Sequence, residues 1–359
     1  TGTQTSTSTS IDLAEPPAPV LTWTRAELPG RRARLVGTGP NQVFATADEI
    51  LYVSTNGSDW RAVEGLPRSL TIASVTHGGE TYLAQGYDYP VQSPVLFSTR
   101  DLARWIPVEE PPPSVNAIAY GDGLFVAVGE DATMSGMGDS AVIESIHAGV
   151  WVSSDGHDWL MIADDTGVFQ GLYRDDAWVE PQDVTFGSSG FVIVGQDDYT
   201  SEWATGAAWH SSDGIQWSRI DGSGLFDSSG GDSGLYAVTH GESGYVATGI
   251  LDPYASAIWF SPIGASWERV EFSDAFVADV IAIDGGYLAV GERGTAGTVY
   301  FSADGRTWEA LTDQATFSPA GEVSRLRRAA GTQSQVVVYG KLELEAVDPP
   351  PNDPNAQRE

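Results

Sequence analysis

The side chains best suited to chemistry sit in four stretches, 129–148, 163–182, 195–205 and 220–234, where carboxylates and aromatic rings are interleaved. The first holds Glu130, Asp131, Asp139 and Glu144; the second holds Asp164, Asp165, Asp175, Asp176 and Glu180 beside Arg174. The third adds Asp197, Asp198 and Glu202, and the fourth Asp221, Asp227 and Asp232. Phe169, Tyr173, Trp178, Tyr199, Trp203 and Phe226 lie among them. Carboxylates accept hydrogen bonds from sugar hydroxyls, and aromatic faces stack on sugar C–H groups. The same oxygens suit Ca²⁺, a hard cation. The candidate binding face therefore comprises Asp164, Asp165, Tyr173, Arg174, Asp175, Asp176, Trp178, Asp197, Asp198, Tyr199 and Trp203. The alternative is a solvated acidic surface whose aromatics pack the loops down.

The whole chain shares this sign. Its 359 residues carry 49 Asp+Glu against 18 Lys+Arg, a formal net charge of −31, and Lys341 is the only lysine. The four stretches account for −14 of it. A polyanion lacks the cations that bind phosphate, so a nucleic-acid partner is excluded and an anionic membrane surface disfavoured. No apolar run approaches the ~18 residues of a membrane helix. Cysteine is absent, which removes disulfides, zinc–thiolate sites, iron–sulfur clusters and a cysteine nucleophile. The five histidines show no HExxH or paired spacing, so no zinc site is expected.

The elements that must position these stretches come from a repeat. An apolar strand runs into Ser-x-Asp-Gly-x-x-Trp, which reads VSTNGSDW at 53–60, VSSDGHDW at 152–159, HSSDGIQW at 210–217 and FSADGRTW at 301–308. FSPIGASW at 260–267 and FSTRDLARW at 97–105 are degenerate copies, the last with one extra residue. Before each copy stands a Gly-rich turn, then an aromatic, apolar residues and Gly, as in GDGLFVAVG at 121–129. Each unit reads as four short antiparallel strands, A to D, with Gly turns from A to B and an Asp-Gly turn from C to D. Trp60, Trp105, Trp159, Trp217, Trp267 and Trp308 mark six units at spacings of 45, 54, 58, 50 and 41 residues. That is the period of a four-stranded propeller blade. A seventh unit is split: A near Ser324–Ala330, B at Gln335–Gly340 and C at Leu342–Val347, with D supplied by Leu21–Leu28 and its Trp23. Such closure removes open sheet edges.

The expected fold class is thus all-β: a seven-bladed β-propeller of four-stranded antiparallel blades, the last closed by the N-terminal strand, with six blades as the alternative. The propeller is expected over 20–347, between a Ser/Thr/Pro-rich linker at 1–19 and a Pro/Asn-rich tail at 348–359. B–C and D–A connections share one face, which gathers the four acidic stretches in one sector. Phe169, Phe226, Phe276 and Phe317 follow their tryptophans by nine or ten residues and are expected to pack at the D–A crossings.

The repeated phrase resembles the Asp box of bacterial neuraminidases and related propellers, with Gly directly after Asp, as in Ser153-Ser154-Asp155-Gly156-His157-Asp158-Trp159. Its chemistry reads as structural: Asp accepts turn amides, Gly supplies a positive φ, and Trp buries between sheets. This role is assigned to Ser153, Asp155, Gly156, Trp159, Ser211, Asp213, Gly214, Trp217, Ser302, Asp304, Gly305 and Trp308. Asn56 stands for Asp in the first copy; Ile263 in the fifth leaves Gly264 and Trp267 alone to hold the turn. The resemblance implies sialidase-like hydrolysis, with arginines on a substrate carboxylate and Tyr, Glu and Asp as catalysts, a role in which Tyr173, Glu180 and Asp175 could be cast. By the period of two, Arg32 and Arg34 share a face of one inner strand, and Arg325 and Arg327 of another, as an axial arginine cluster. The nearest phrase to the sialidase Arg-Ile-Pro sequence is Ala33-Arg34-Leu35-Val36. An acidic face should also repel anionic sugars.

The function expected is a non-catalytic propeller that binds a glycan, a protein or a cation through the acidic, aromatic-containing face, with Ca²⁺ the only cofactor weighed. A glycoside hydrolase is one alternative; an assembly or scaffold factor similar to photosystem-type Asp-box propellers is another. The polar TGTQTSTSTS at 1–10 points to an exported protein, secreted or lipid-anchored at the cell surface. A monomer without a transmembrane segment is expected.

Overall fold

The computed structural model describes residues 22–24, 26–28, 30, 33–135, 142–164, 166–170, 178–198, 203–228, 231–252, 255–270, 272, 275–311, 317, 322–332 and 335–344, the side chains of 131–146, 198, 252, 255, 322–323 and 341–344 excepted. Every regular element among them is a strand. The first unit is an antiparallel meander of β1 (Arg34–Gly39), β2 (Gln42–Ala47), β3 (Ile50–Ser54) and β4 (Arg61–Ala62). The second, β5 (Leu70–Gly78), β6 (Thr81–Asp88), β7 (Ser93–Thr99) and β8 (Ile106–Pro107), joins it through one parallel bridge between Gly37 and Val75. The third has β9 (Val115–Gly121), β10 (Leu124–Ser135), β11 (Val142–Ser153) and β12 (Leu160–Met161). The fourth has β13 (Trp178–Gly187), β14 (Gly190–Asp198), β15 (Thr205–Ser211) and β16 (Ser218–Arg219). The fifth has β17 (Gly234–Gly241), β18 (Gly244–Asp252), β19 (Ala255–Ser261) and β20 (Glu268–Val270). The sixth has β21 (Phe276–Ile283), β22 (Gly286–Arg293), β23 (Ala296–Ser302) and β24 (Glu309–Ala310). β25 (Glu322–Thr332) and β26 (Gln335–Leu344) form a final hairpin.

Second strands are apolar on both sides because both sheet faces are covered: Phe191, Val192, Ile193 and Val194 are all buried. The buried side chains fall into seven clusters, each between neighbouring units. One joins Leu35, Val43 and Ala45 of the first unit to Ala330 of the final hairpin. First strands touch in cyclic order, β1 on β5, β5 on β9, β9 on β13, β13 on β17, β17 on β21, β21 on β25 and β25 on β1.

One irregularity repeats in every first strand. A β-bulge sits at Val36, Ala73, Asn116, Gln182, Tyr236, Ala278 and Arg327. In the second to seventh units the bulge lies next to the glycine that closes the apolar run of the second strand; in the first unit Ala45 stands at that place. A Cβ on Gly86, Gly129, Gly195, Gly249, Gly291 or Gly340 would lie only 1.8 to 2.5 Å from a carbonyl oxygen of the bulged strand. Close backbone approach explains the glycine in those six units.

The structure corrects two boundaries. The stretch 129–148 is largely a hairpin, because β10 and β11 stay paired out to Ser135 opposite Val142 and so satisfy their own amides. Leu342 prolongs β26 instead of starting a new strand. The fourth strands are only two or three residues long, which keeps the outer edges short.

Candidate functional site

The repeated Ser-x-Asp-Gly-x-x-Trp turn uses its polar groups internally. Asp155 Oδ1 accepts the amides of His157 at 2.8 Å and Asp158 at 3.0 Å and the Ser153 hydroxyl at 3.1 Å. Ser153 Oγ accepts the Gly156 amide at 2.8 Å, and the Trp159 indole donates to the Gly156 carbonyl at 3.2 Å. The His157 and Asp158 amides hold the Asp155 carboxyl below the usual range. Asp213, Asp304 and Asn56 make the same amide contacts. Gly156 has φ +81°, and a Cβ there would lie 2.8 Å from Leu83 of the preceding unit.

Two degenerate copies differ from the sequence reading. In 97–105 the turn has no extra residue: Asp101 Oδ1 accepts Ala103 and Arg104 amides, both at 2.9 Å, and Leu102 takes the glycine place at φ +58°. Thr99 occupies the Ser position, so the added residue belongs to the strand. In the fifth copy the Trp267 indole reaches the Gly264 carbonyl at 2.8 Å, and the Ser261 hydroxyl donates to the Ser266 carbonyl. The hydroxyl thus ties the strand end to the turn as a donor, where the carboxylate of the other copies is an acceptor.

The opposite face is built differently. Of twelve tryptophans, only Trp178 and Trp203 are exposed, at 46% and 47%. Trp178 opens β13 opposite Asp198, and Trp203 leads into β15. Behind them Glu180 Oε2 accepts the side-chain amides of Gln196 at 2.6 Å and Gln182 at 3.0 Å. The carboxyl of Glu130 on β10 hydrogen-bonds Glu180; burial, then the Glu180 charge and this bond, raise its pKa. Tyr236 on β17 is raised by burial and then by the charges of Asp232 and Glu180. Asp232 accepts the Ala204 amide at 2.9 Å, tying the fourth-to-fifth crossing to the segment of Trp203.

Below lies an ion pair with a positioning role. Asp197 has a fully buried side chain and meets Arg219 at 2.6 Å. Arg219 also donates to the Gln170 carbonyl at 2.9 Å and stands 5.3 Å from the Trp209 ring centre. It fastens the third-to-fourth crossing to β14. The site therefore presents stacking faces, carboxyl acceptors and the side-chain amides of Gln182 and Gln196. Among the described residues, no three acidic or histidine side chains converge to hold a metal.

The other sequence-derived residues divide. Asp164 closes its own turn, accepting the amides of Val168 at 2.8 Å and Phe169 at 3.1 Å. Arg32, Asp165, Tyr173, Arg174, Asp175, Asp176 and Tyr199 lie outside the described residues, as does the Asp198 side chain. The described arginines proposed for an axial cluster each meet a neighbouring group. Arg34 donates to the Ile72 carbonyl at 3.0 Å, Arg325 meets Glu292 at 3.2 Å, and Arg327 lies 5.6 Å from the Phe276 ring centre. The bulge at Arg327 breaks the period of two that put it on one face with Arg325. Phe169 packs on Trp209, Phe226 on Trp259 and Phe317 on Trp23. Phe276 is exposed at 36%, and Phe272 takes the corresponding place against Tyr300 at 5.0 Å. Glu130, Gln196 and Tyr236 were not singled out as site residues by the sequence; the bulge register and cross-unit contact that unite them leave no motif.

No family model and no curated protein matches the sequence. Solved structures do. A prolyl endopeptidase matches at 10% identity with a TM-score of 0.50 over 88% of this chain. The chain spans half the length of that enzyme. The computationally designed protein Ika8 matches at 12% identity and 0.49 over 89% of this chain and 99% of its own. The WD40 domain of Neurospora crassa Pan2 matches at 9% identity and 0.49 over 82% of this chain and 80% of its own. At such identities the likeness shows fold alone: an all-β, β-propeller-like architecture.

Proposed function

We propose that the chain is a seven-bladed Asp-box-type propeller that binds a neutral glycan, without cleaving it, through the loop face of its third to fifth units. The observation that carries the glycan reading is the exposure of Trp178 and Trp203, alone of twelve tryptophans, beside Glu180 and its amide partners. Exposed rings next to fixed acceptors suit a ligand with apolar C–H faces and hydroxyl edges. The surrounding carboxylates speak against anionic sugars.

Ring closure has its own support. Phe317 stands 5.0 Å from Trp23 as Phe169 stands 6.1 Å from Trp217, which supports reading Trp23 as the turn tryptophan of a seventh unit. A Cβ on Gly57 of the first unit would lie 2.9 Å from Val337 of β26, the relation each turn glycine has to the unit before it. Calorimetric titration with cellohexaose, chitohexaose and an anionic sialyl-lactose tests the function. Binding of a neutral oligosaccharide, weakened at least tenfold by Trp178→Ala and by Trp203→Ala, is expected. Equal affinity in the variants, or heat only with the anionic sugar, contradicts the reading.

A further inference from the structure

The inner strands carry ionisable groups that the loop-face site leaves unused. The residue after each bulge is, in order around the ring, Gly37, Ser74, Ala117, Asp183, Ala237, Asp279 and Arg328. Asp183 Oδ1 accepts its own neighbour's amide, Val184, at 2.9 Å, and Oδ2 accepts Val238 of β17 at 2.8 Å. Asp279 repeats this with Val280 at 2.9 Å and Ala329 of β25 at 2.9 Å. Other joints use groups that do not titrate near neutrality: Arg34 to the Ile72 carbonyl, Thr76 to the Ile118 carbonyl, Asn116 to the Pro181 carbonyl, and the Ala282 amide to Thr239. Two joints, fourth to fifth and sixth to seventh, thus depend on a carboxyl.

We propose that Asp183 is a proton-dependent latch between β13 and β17 that positions the loop-face site, with Asp279 its counterpart between β21 and β25. The latch stands on the strand geometry; only its effect on ligand rests on the glycan reading. Asp183 directly follows Gln182 and lies three residues from Glu180, while Val238 lies two residues after Tyr236. Any change in the Asp183–Val238 bond shifts Tyr236 against Glu180.

The surroundings set the direction. Burial pushes Asp183 up to about 7, opposed by the Val238 amide, reinforced by Asp279, and opposed by the Val184 amide and Arg328. Burial also raises Asp279 against Arg328 and its two amides. Elements packed on β13 bring Tyr120 from β9, Glu130 from β10, His147 from β11, Asp197 from β14, and Tyr236 and His240 from β17. Those packed on β21 bring Tyr236 and His240 from β17, Tyr245 from β18, Tyr287, Glu292 and Arg293 from β22, and Arg325, Arg327 and Arg328 from β25. A carboxyl whose pKa is raised by closure favours the closed joint when protonated. The neutral acid still accepts hydrogen bonds, so the latch tightens at low pH and loosens as pH rises from about 4 towards 7.

Hydrogen exchange of the full chain between pH 5 and 8, corrected for intrinsic rates, tests this. Protection over 236–240 should fall on the order of tenfold across the range, and Asp183→Asn, which keeps an acceptor oxygen but cannot titrate, should flatten the profile. Constant protection in the unmodified protein, or an unchanged slope in D183N, overturns the latch. If D183N does not fold, carbon NMR of the wild-type carboxyls decides: titration of Asp183 near neutrality supports the latch, and titration below 5 overturns it. Cellohexaose affinity separates the two claims. A pH slope lost in D183N supports both; absent sugar binding with pH-dependent protection sinks only the glycan reading; binding with constant protection sinks only the latch.

Discussion

Asp155 and Ile263 occupy the same place in two turns and give opposite predictions. Asp155→Ala leaves the His157 and Asp158 amides without their acceptor and should cost about 1–2 kcal/mol in denaturant unfolding. Ile263→Asp supplies an acceptor for the Ala265 and Ser266 amides at an exposed position and should stabilise by about 0.5–1 kcal/mol. The Asp155 carboxyl lies below its ordinary pKa, so its contribution is present above about pH 4 and lost as pH falls through the folded value. These turns were readable because type and spacing recur. Asp101 was misregistered because Leu102, not Gly, takes the positive φ. Glu130 and Glu180 were counted as loop charge, but no spacing announces their contact, which needs two neighbouring units in place.

The four-strand repeat was legible in glycine turns and apolar runs; the bulges were not, since a bulge changes register without changing composition. They undid the alternation that grouped Arg325 with Arg327, and they put Gln182 and Tyr236 at matching positions of adjacent strands. They also give glycine a fixed cost. Gly195→Ala and Gly291→Ala would set a Cβ 2.1 and 1.8 Å from the carbonyls of Glu180 and Phe276. Each should destabilise by about 3 kcal/mol in urea unfolding, and Gly195→Ala should also weaken ligand binding because it displaces Glu180. A loss under about 0.5 kcal/mol would mean that the bulge opens freely.

Across the whole molecule, seven inter-unit cores and cyclic strand contacts make stability depend on closure. Trp23→Ala should lower the melting temperature by several degrees, because it opens the contact with Phe317. The raised Asp183 sets a pH dependence of opposite sign to Asp155: its stabilisation is full below about pH 4 and lost by about pH 7, a slope that Asp183→Asn should remove from thermal melts. The acidic sector that the charge pattern marked does contain the two exposed tryptophans, which ties the molecule's charge to them. The most direct measurement is an NMR titration of the indole N–H signals with neutral oligosaccharides. The account predicts that Trp178 and Trp203 shift while the turn indoles of Trp60, Trp159, Trp217, Trp267 and Trp308, already bonded to glycine carbonyls, stay in place. Shifts confined to the turn indoles, or none with any sugar at millimolar concentration, would contradict it.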